Sequence, residues 1–332
     1  MSEFTVVSGK HVADLLLGQE HQVVEVVRRA YLAHHSGATV NPDSYFLRFP
    51  DKPDSRIIAL PAYLGGDIDR AGIKWISSFP ANVRKGQQRA SAVLVLNDYA
   101  TGYPIALLEA SRISAARTAA SAALAALTLT VAPPRRFGVV GAGVIGRTIV
   151  DYLIACGLAP QEVVCHDLDA ASAEHLVRHL TERHRRPARS GGLDAALAAD
   201  LVVLATTALT PYIGAGQPLR AGQLLLNISL RDLQPELLLA ADNVLDDVDH
   251  CLKAATSPHL AEQLSGGRDF VTGTLAQALR GELVLDPDLP TIFSPFGLGV
   301  LDIAVGHHVL GRARDSGLAV EVPDFLGPTE RW

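Results

Sequence analysis

The segment Arg135-Arg136-Phe137-Gly138-Val139-Val140-Gly141-Ala142-Gly143-Val144-Ile145-Gly146 constrains this chain more than any other. Its apolar run from Phe137 to Val140 predicts a buried strand that opens directly into a glycine turn. An apolar helical pattern follows (Ile149, Val150, Leu153, Ile154), and a second apolar run, Val163-Val164-Cys165-His166, ends at Asp167. Strand, glycine turn, helix, strand and acid, in that order, are what a dinucleotide site requires. Gly141 permits the tight turn, Gly143 lets the backbone approach a pyrophosphate, and Gly146 lets helix and strand pack closely. The helix start offers free N–H groups and the positive end of its dipole to the phosphates. Asp167 would accept hydrogen bonds from the adenosine ribose and repel a 2′-phosphate, and no Arg or Lys follows it until Arg178. The expected cofactor is NAD rather than NADP.

With 332 residues, 48% of them hydrophobic, the chain can fill roughly two domain cores. A formal charge of −6 provides no electrostatic footprint for nucleic acid. Arg183, Arg185, Arg186 and Arg189 cluster locally, but between a helix and a strand they read as a solvated loop. Cys156, Cys165 and Cys251 lack metal or redox spacing, so buried reduced thiols in a cytoplasmic protein are expected. The first ten residues lack a signal peptide's pattern. The Ala/Leu-rich stretch 113–132 is interrupted by Arg117, Ser121 and threonines, which predicts a buried helix and no membrane span. His250 and the pair His307-His308 have no second-ligand spacing, so no metal is expected. No Gly-x-Ser-x-Gly or Cys/His nucleophile pattern is present.

Periodicity predicts one amphipathic helix over 11–35 and then short strands over 45–49, 56–63, 72–79, 91–97 and 105–109, an antiparallel sheet. Asp98-Tyr99-Ala100-Thr101-Gly102-Tyr103-Pro104 carries hairpin chemistry between the last two. A helix over 113–129 leads to the glycine turn, and a βα rhythm follows: strands at 163–166, 201–205, 224–228 and 243–246, with a helix near 170–182. A last helix spans 301–314. The expected class is α/β: a Rossmann-type doubly wound parallel sheet over 116–299, plus an α+β substrate-binding and dimerisation domain from 1–115 with 300–332.

Three cations sit among apolar neighbours: Lys74 in Gly72-Ile73-Lys74-Trp75-Ile76, Arg117 in the Ala-rich helix, and Arg48 in Tyr45-Phe46-Leu47-Arg48-Phe49. Such a charge needs a partner or an anionic ligand. The alternative is an edge-strand residue whose stem snorkels to water.

Ala71-Gly72-Ile73-Lys74-Trp75, Asp98 to Pro104 and Ser114-Ala115-Ala116-Arg117-Thr118-Ala119-Ala120 resemble the ornithine cyclodeaminase/mu-crystallin family, which also holds archaeal-type alanine dehydrogenases and ketimine reductases. The resemblance spans nearly the whole chain. Asn41 to Pro50, Trp75 to Pro80, Ile228 to Leu233 and Phe293 to Gly299 look like the branch that makes 2,3-diaminopropionate for siderophores and peptide antibiotics. That resemblance implies a homodimer and NAD-dependent cleavage of a small amino-acid-derived substrate, N-((2S)-2-amino-2-carboxyethyl)-L-glutamate. The pathway partner it implies is a PLP-dependent aminocarboxyethyl-glutamate synthase. Ornithine cyclisation, alanine dehydrogenase or ketimine reductase activity, and a non-catalytic ligand-binding module are the alternatives.

Residue by residue, the resemblance makes Lys74 and Arg117 ligands of substrate carboxylate and assigns Phe296 and Gly297 to the substrate. Ser91, Arg117, Val144, Ile145, Asp167, Thr207 and Ser229 fall to the cofactor beside the three glycines. The family's catalytic Asp follows Gly-Gly in the cyclodeaminases, where this chain has Ser229-Leu230-Arg231-Asp232, so Asp232 is the candidate, about one position out of register. The family's first substrate Arg follows a proline closely, where this chain has Pro42-Asp43-Ser44; Arg48, or else Arg56, takes its place.

Overall fold

The computed structural model describes residues 4–329. The chain divides into two units, one running to Arg117 and resuming at Leu298, the other Thr118–Gly297, so each junction lies two residues from the expected one.

The sheet of the first unit runs in the order Val320–Val322, Phe4–Val7, Pro104–Glu109, Ala90–Asp98, Arg70–Ser78, Lys52–Leu64, Thr39–Val40, with Tyr45–Phe49 also paired to Lys52–Leu64. From Pro104–Glu109 to Thr39–Val40 the pairing is antiparallel, as expected. Phe4–Val7, which carried no strand expectation, pairs parallel with Pro104–Glu109 and antiparallel with the edge strand Val320–Val322. One face is covered by the helix Gly299–Asp315, with Glu20–His35 packed behind it. Glycines set that distance: a Cβ on Gly72 would lie 2.8 Å from Ile303 Cδ1, and one on Gly306 2.1 Å from Leu94 Cδ2. The single helix expected over 11–35 is two, Gly9–Leu16 and Glu20–His35, because Gly18 turns the chain at φ +71°. In the expected hairpin, Asp98 accepts from Thr101 N at 3.0 Å, and Gly102 takes φ +75°.

The second unit is an all-parallel sheet in the order Ala188–Ser190, Glu162–His166, Arg136–Val140, Leu201–Leu204, Leu224–Asn227, Thr291–Ser294, Asp242–Leu245, Val271–Thr274. Its middle strands are buried throughout, which is why they read as unbroken apolar runs. The chain order reverses across Arg136–Val140 and Leu201–Leu204, the switch point where doubly wound sheets bind ligands. Three strands escaped the sequence pattern, one of them Val271–Thr274 at the far edge. Thr291–Ser294 inserts between strands that precede it in sequence, and Ala188–Ser190 forms an edge inside the stretch read as a solvated loop, with Arg189 Nε 2.7 Å from Glu162 Oε1. Cys165 and Cys251 are buried and Cys156 is half-buried. Among the described residues no helix is long and apolar enough to cross a membrane.

Candidate active site

Lys74 lies in an interior strand, Arg70–Ser78, on the face covered by the last helix, and is 1% exposed. The snorkelling alternative does not hold, because no sheet edge or solvent is within its reach. A residue that sequence reasoning passed over compensates it. Asp302, fully buried on Gly299–Asp315, accepts from Lys74 Nζ at 2.6 Å through Oδ2 and from Arg117 Nε at 3.2 Å through Oδ1. Ser114 Oγ takes a second Lys74 hydrogen bond at 3.2 Å. Arg117 and Ser114 come from one helix, Ser111–Leu129, whose alanines let it pack closely. Only Nε of Arg117 is engaged among the described residues, so its two terminal nitrogens can receive a carboxylate in the bidentate mode. Burial, reinforced by the Arg117 charge and opposed by Asp302, lowers the Lys74 pKa to about 8. One carboxylate thus serves two cations, leaving the cluster a net positive charge while Lys74 is protonated.

The candidate cations Arg48 and Arg56 lie along the same sheet face. Directly opposed residues of an antiparallel pair share a face, and Arg48, Arg56, Ser78 and Ala90 form one rung. Ser78 stands four residues from Lys74, hence on its side of the sheet. Arg48 itself is exposed on the outermost of these strands, its guanidinium 5.3 Å from the Phe46 ring centroid. Ser91 pairs with Ser77, on the face opposite Lys74, and is exposed. The sequence placed Ser91 beside the cofactor; the structure does not bring it together with Lys74.

In the second unit the glycine turn has the stereochemistry a dinucleotide needs. Gly141 takes φ +93°, and a Cβ there would meet Ala205 O at 2.5 Å. A Cβ on Gly146 would meet Gly141 O at 2.2 Å, whereas nothing lies within 4 Å of one on Gly143. The open space at Gly143 belongs to a cavity of about 380 Å³ lined by Ala142, Val144, Arg147, Asp169, Ser172 and His175 among others. Asp167 closes the turn, accepting from Ala142 N at 2.8 Å and Asp169 N at 2.9 Å. Ile145 is half-buried beside these residues. This cradle fits NAD, and Arg147, not anticipated from the sequence, adds a cation suited to its pyrophosphate.

Asp232 is fully buried after the strand Leu224–Asn227. It accepts from Ser229 Oγ and, at 2.5 Å, from Thr206 Oγ1. Burial raises its pKa against the lowering effect of those two hydroxyls. Thr206 is therefore the threonine that meets Asp232, while its neighbour Thr207 is exposed. Leu230 adopts φ +74°, the left-handed conformation that glycine takes without strain. Phe296 and Gly297 are held through their backbone N–H groups by Asp246, at 2.9 and 2.8 Å, and the half-buried Phe296 ring lies 6.4 Å from the His250 ring. His250 bonds Asp247. Against the expectation of no metal-ligand spacing, one trio converges: His179 and His184 each set Nε2 2.6 Å from Asp151 Oδ1, tying Val144–Ala155 to Ala170–Arg183.

The profile of the ornithine cyclodeaminase/mu-crystallin family matches residues 6–317. The chain is 29% identical over 317 residues to an N-((2S)-2-amino-2-carboxyethyl)-L-glutamate dehydrogenase of Staphylococcus aureus, covering 91% of this chain and 93% of that one. An archaeal alanine dehydrogenase dimer with bound NAD superposes with a TM-score of 0.87 at 25% identity, covering 97% and 100% of the two chains. The Thermococcus litoralis Δ1-pyrroline-2-carboxylate reductase, solved with NADH and L-proline, shares the fold with a TM-score of 0.89 at 22% identity over 96% and 100%.

Proposed function

Because this chain belongs to the ornithine cyclodeaminase/mu-crystallin family, we propose that it is an NAD-dependent oxidoreductase acting on the C–N bond of N-((2S)-2-amino-2-carboxyethyl)-L-glutamate. The net reaction is oxidation at the glutamate α-carbon and hydrolysis of the resulting imine, forming 2,3-diaminopropionate, 2-oxoglutarate and NADH. The observation that carries this reading is the buried Lys74–Asp302–Arg117 cluster, whose free donors suit a carboxylate. Gly141, Gly143 and Gly146, with Val144, Ile145, Asp167 and Thr207, would hold NAD, which would supply the hydride acceptor.

The chain's own residues orient the substrate and move protons. Arg117 and Lys74 hold the α-carboxylate of the reacting half. Asp232, whose buried carboxyl holds a proton more tightly than usual, accepts the amine proton or activates water, with Ser229 and Thr206 orienting it. A substrate with three carboxylates needs at least one more cation, and Arg48 and Arg56 oppose each other on neighbouring strands.

The protein works as a homodimer in this reading. Tyr45, Ala59, Trp75 and Val93 make a row across the outer sheet face, with Tyr45 70% and Trp75 41% exposed. Twofold pairing would cover it. A monomer by sedimentation at micromolar concentration rejects the dimer. For the activity, the NADH absorbance band is followed with the aminocarboxyethyl-glutamate, ornithine and alanine offered separately. NADH from the first alone is expected. Ammonia from ornithine without net NADH would make the protein a cyclodeaminase.

A further inference from the structure

We infer that Arg89, seated on Ser78, forms a second anion subsite that takes the side-chain carboxylate of the substrate's glutamate half; this rests on the oxidative-cleavage reading above. Arg89 precedes the strand Ala90–Asp98 and donates from Nη1 to Ser78 Oγ at 2.7 Å. Among the described residues that hydroxyl is its one side-chain partner, and no carboxylate pairs with it. Its side chain is half-buried, and that burial alone lowers its pKa. A partly desolvated guanidinium with a neutral partner lacks the compensation such charges ordinarily have. The adjoining rung adds Arg56 on the same face. Arg48, by contrast, is exposed and engaged with Phe46.

The spacing selects the ligand. Ser78 and Lys74 are four residues apart on one strand, about 13 Å at roughly 3.3 Å per residue. That backbone spacing suits a ligand that carries two carboxylates a few carbon atoms apart, one for each cation. The α- and side-chain carboxylates of glutamate, four bonds apart, span about 5 Å when extended. Alanine or ornithine, with one carboxylate, leaves Arg89 unpaired, so the subsite selects acidic amino-acid substrates.

The test compares the natural protein with Arg89→Gln and Arg89→Lys, each first shown to melt like the natural protein. Two substrates are used: the aminocarboxyethyl-glutamate, and its analogue with the side-chain carboxylate converted to a carboxamide. Arg89→Gln should raise KM for the first by about 10²-fold, with a smaller effect on kcat and partial recovery in Arg89→Lys. On the carboxamide the natural protein and Arg89→Gln should be alike. An unchanged KM, or the same loss on both substrates, overturns the subsite. If the natural protein forms no NADH from this substrate, the activity reading fails instead. Calorimetric titration with glutarate then still decides: binding lost in Arg89→Gln supports the subsite, and equal binding overturns it.

Discussion

Lys74 Nζ and Asp302 Oδ2 lie 2.6 Å apart with both side chains buried, joining the third strand of the first unit's antiparallel run to the last helix of the chain. Removing one partner of such a pair strands the other charge, at about 3–5 kcal/mol. Asp302→Asn strands two cations, Lys74 and Arg117. It should therefore lower stability by about that amount at pH 6, and less at pH 9, where Lys74 gives up its proton. Urea denaturation at the two pH values measures this; a loss independent of pH would show that Lys74 is not the group relieved.

Lys74 also sets a pH window of its own. Its folded pKa of about 8 lies below the ordinary 10.5, so between those values the unfolded chain binds more protons. The penalty for burying this charge is full below pH 8 and is relieved as pH rises towards 10.5, so this group alone makes stability increase across that range. Ligand binding runs the other way, because neutral Lys74 no longer attracts a carboxylate. KM for the substrate should rise above about pH 8, and Lys74→Arg should move that rise to higher pH. A flat KM profile from pH 7 to 9.5 counts against Lys74 as a carboxylate ligand.

Arg117→Ala should reduce turnover by about 10²-fold or more, since a substrate carboxylate loses a bidentate partner. NAD affinity should fall far less. Steady-state rates and an NAD titration on the folded variant separate the two effects. Near-normal turnover would mean that Arg117 serves only to neutralise Asp302.

Cofactor choice tests Asp167. Its carboxylate is fixed by the N–H groups of Ala142 and Asp169, so it cannot swing away from a 2′-phosphate without breaking the turn. NAD should be preferred over NADP by at least about tenfold, some 1.4 kcal/mol, and Asp167→Ser should narrow the gap. Equal kcat/KM for both cofactors would refute this.

Two glycines of one turn should respond differently to the same substitution. Gly146→Ala places a methyl 2.2 Å from Gly141 O, a backbone clash, and should lower stability by about 1–3 kcal/mol. Gly143→Ala meets nothing within 4 Å, so its melting should be unchanged, yet its methyl enters the cavity and NAD affinity should drop. If Gly143→Ala binds NAD normally, the pyrophosphate lies elsewhere.

The dinucleotide turn, its closing acid and the parallel sheet were legible in the sequence because each rests on local chemistry. Glycine is needed where no Cβ fits, and a fully buried strand must be apolar along its whole length. The cations Lys74 and Arg117 were legible as residues out of place, but Asp302 was not. It comes 228 residues after Lys74, inside a helix whose other buried positions are apolar, and no sequence spacing links the two. Arg89 escaped for the same reason, because its meaning lies in a neutral hydroxyl on the neighbouring strand and in the lack of a carboxylate partner among the described residues. Local backbone geometry and burial are written in short stretches of residue types. Charge compensation is settled between side chains that only the folded packing brings within a few ångströms, and there the tertiary structure alone decided.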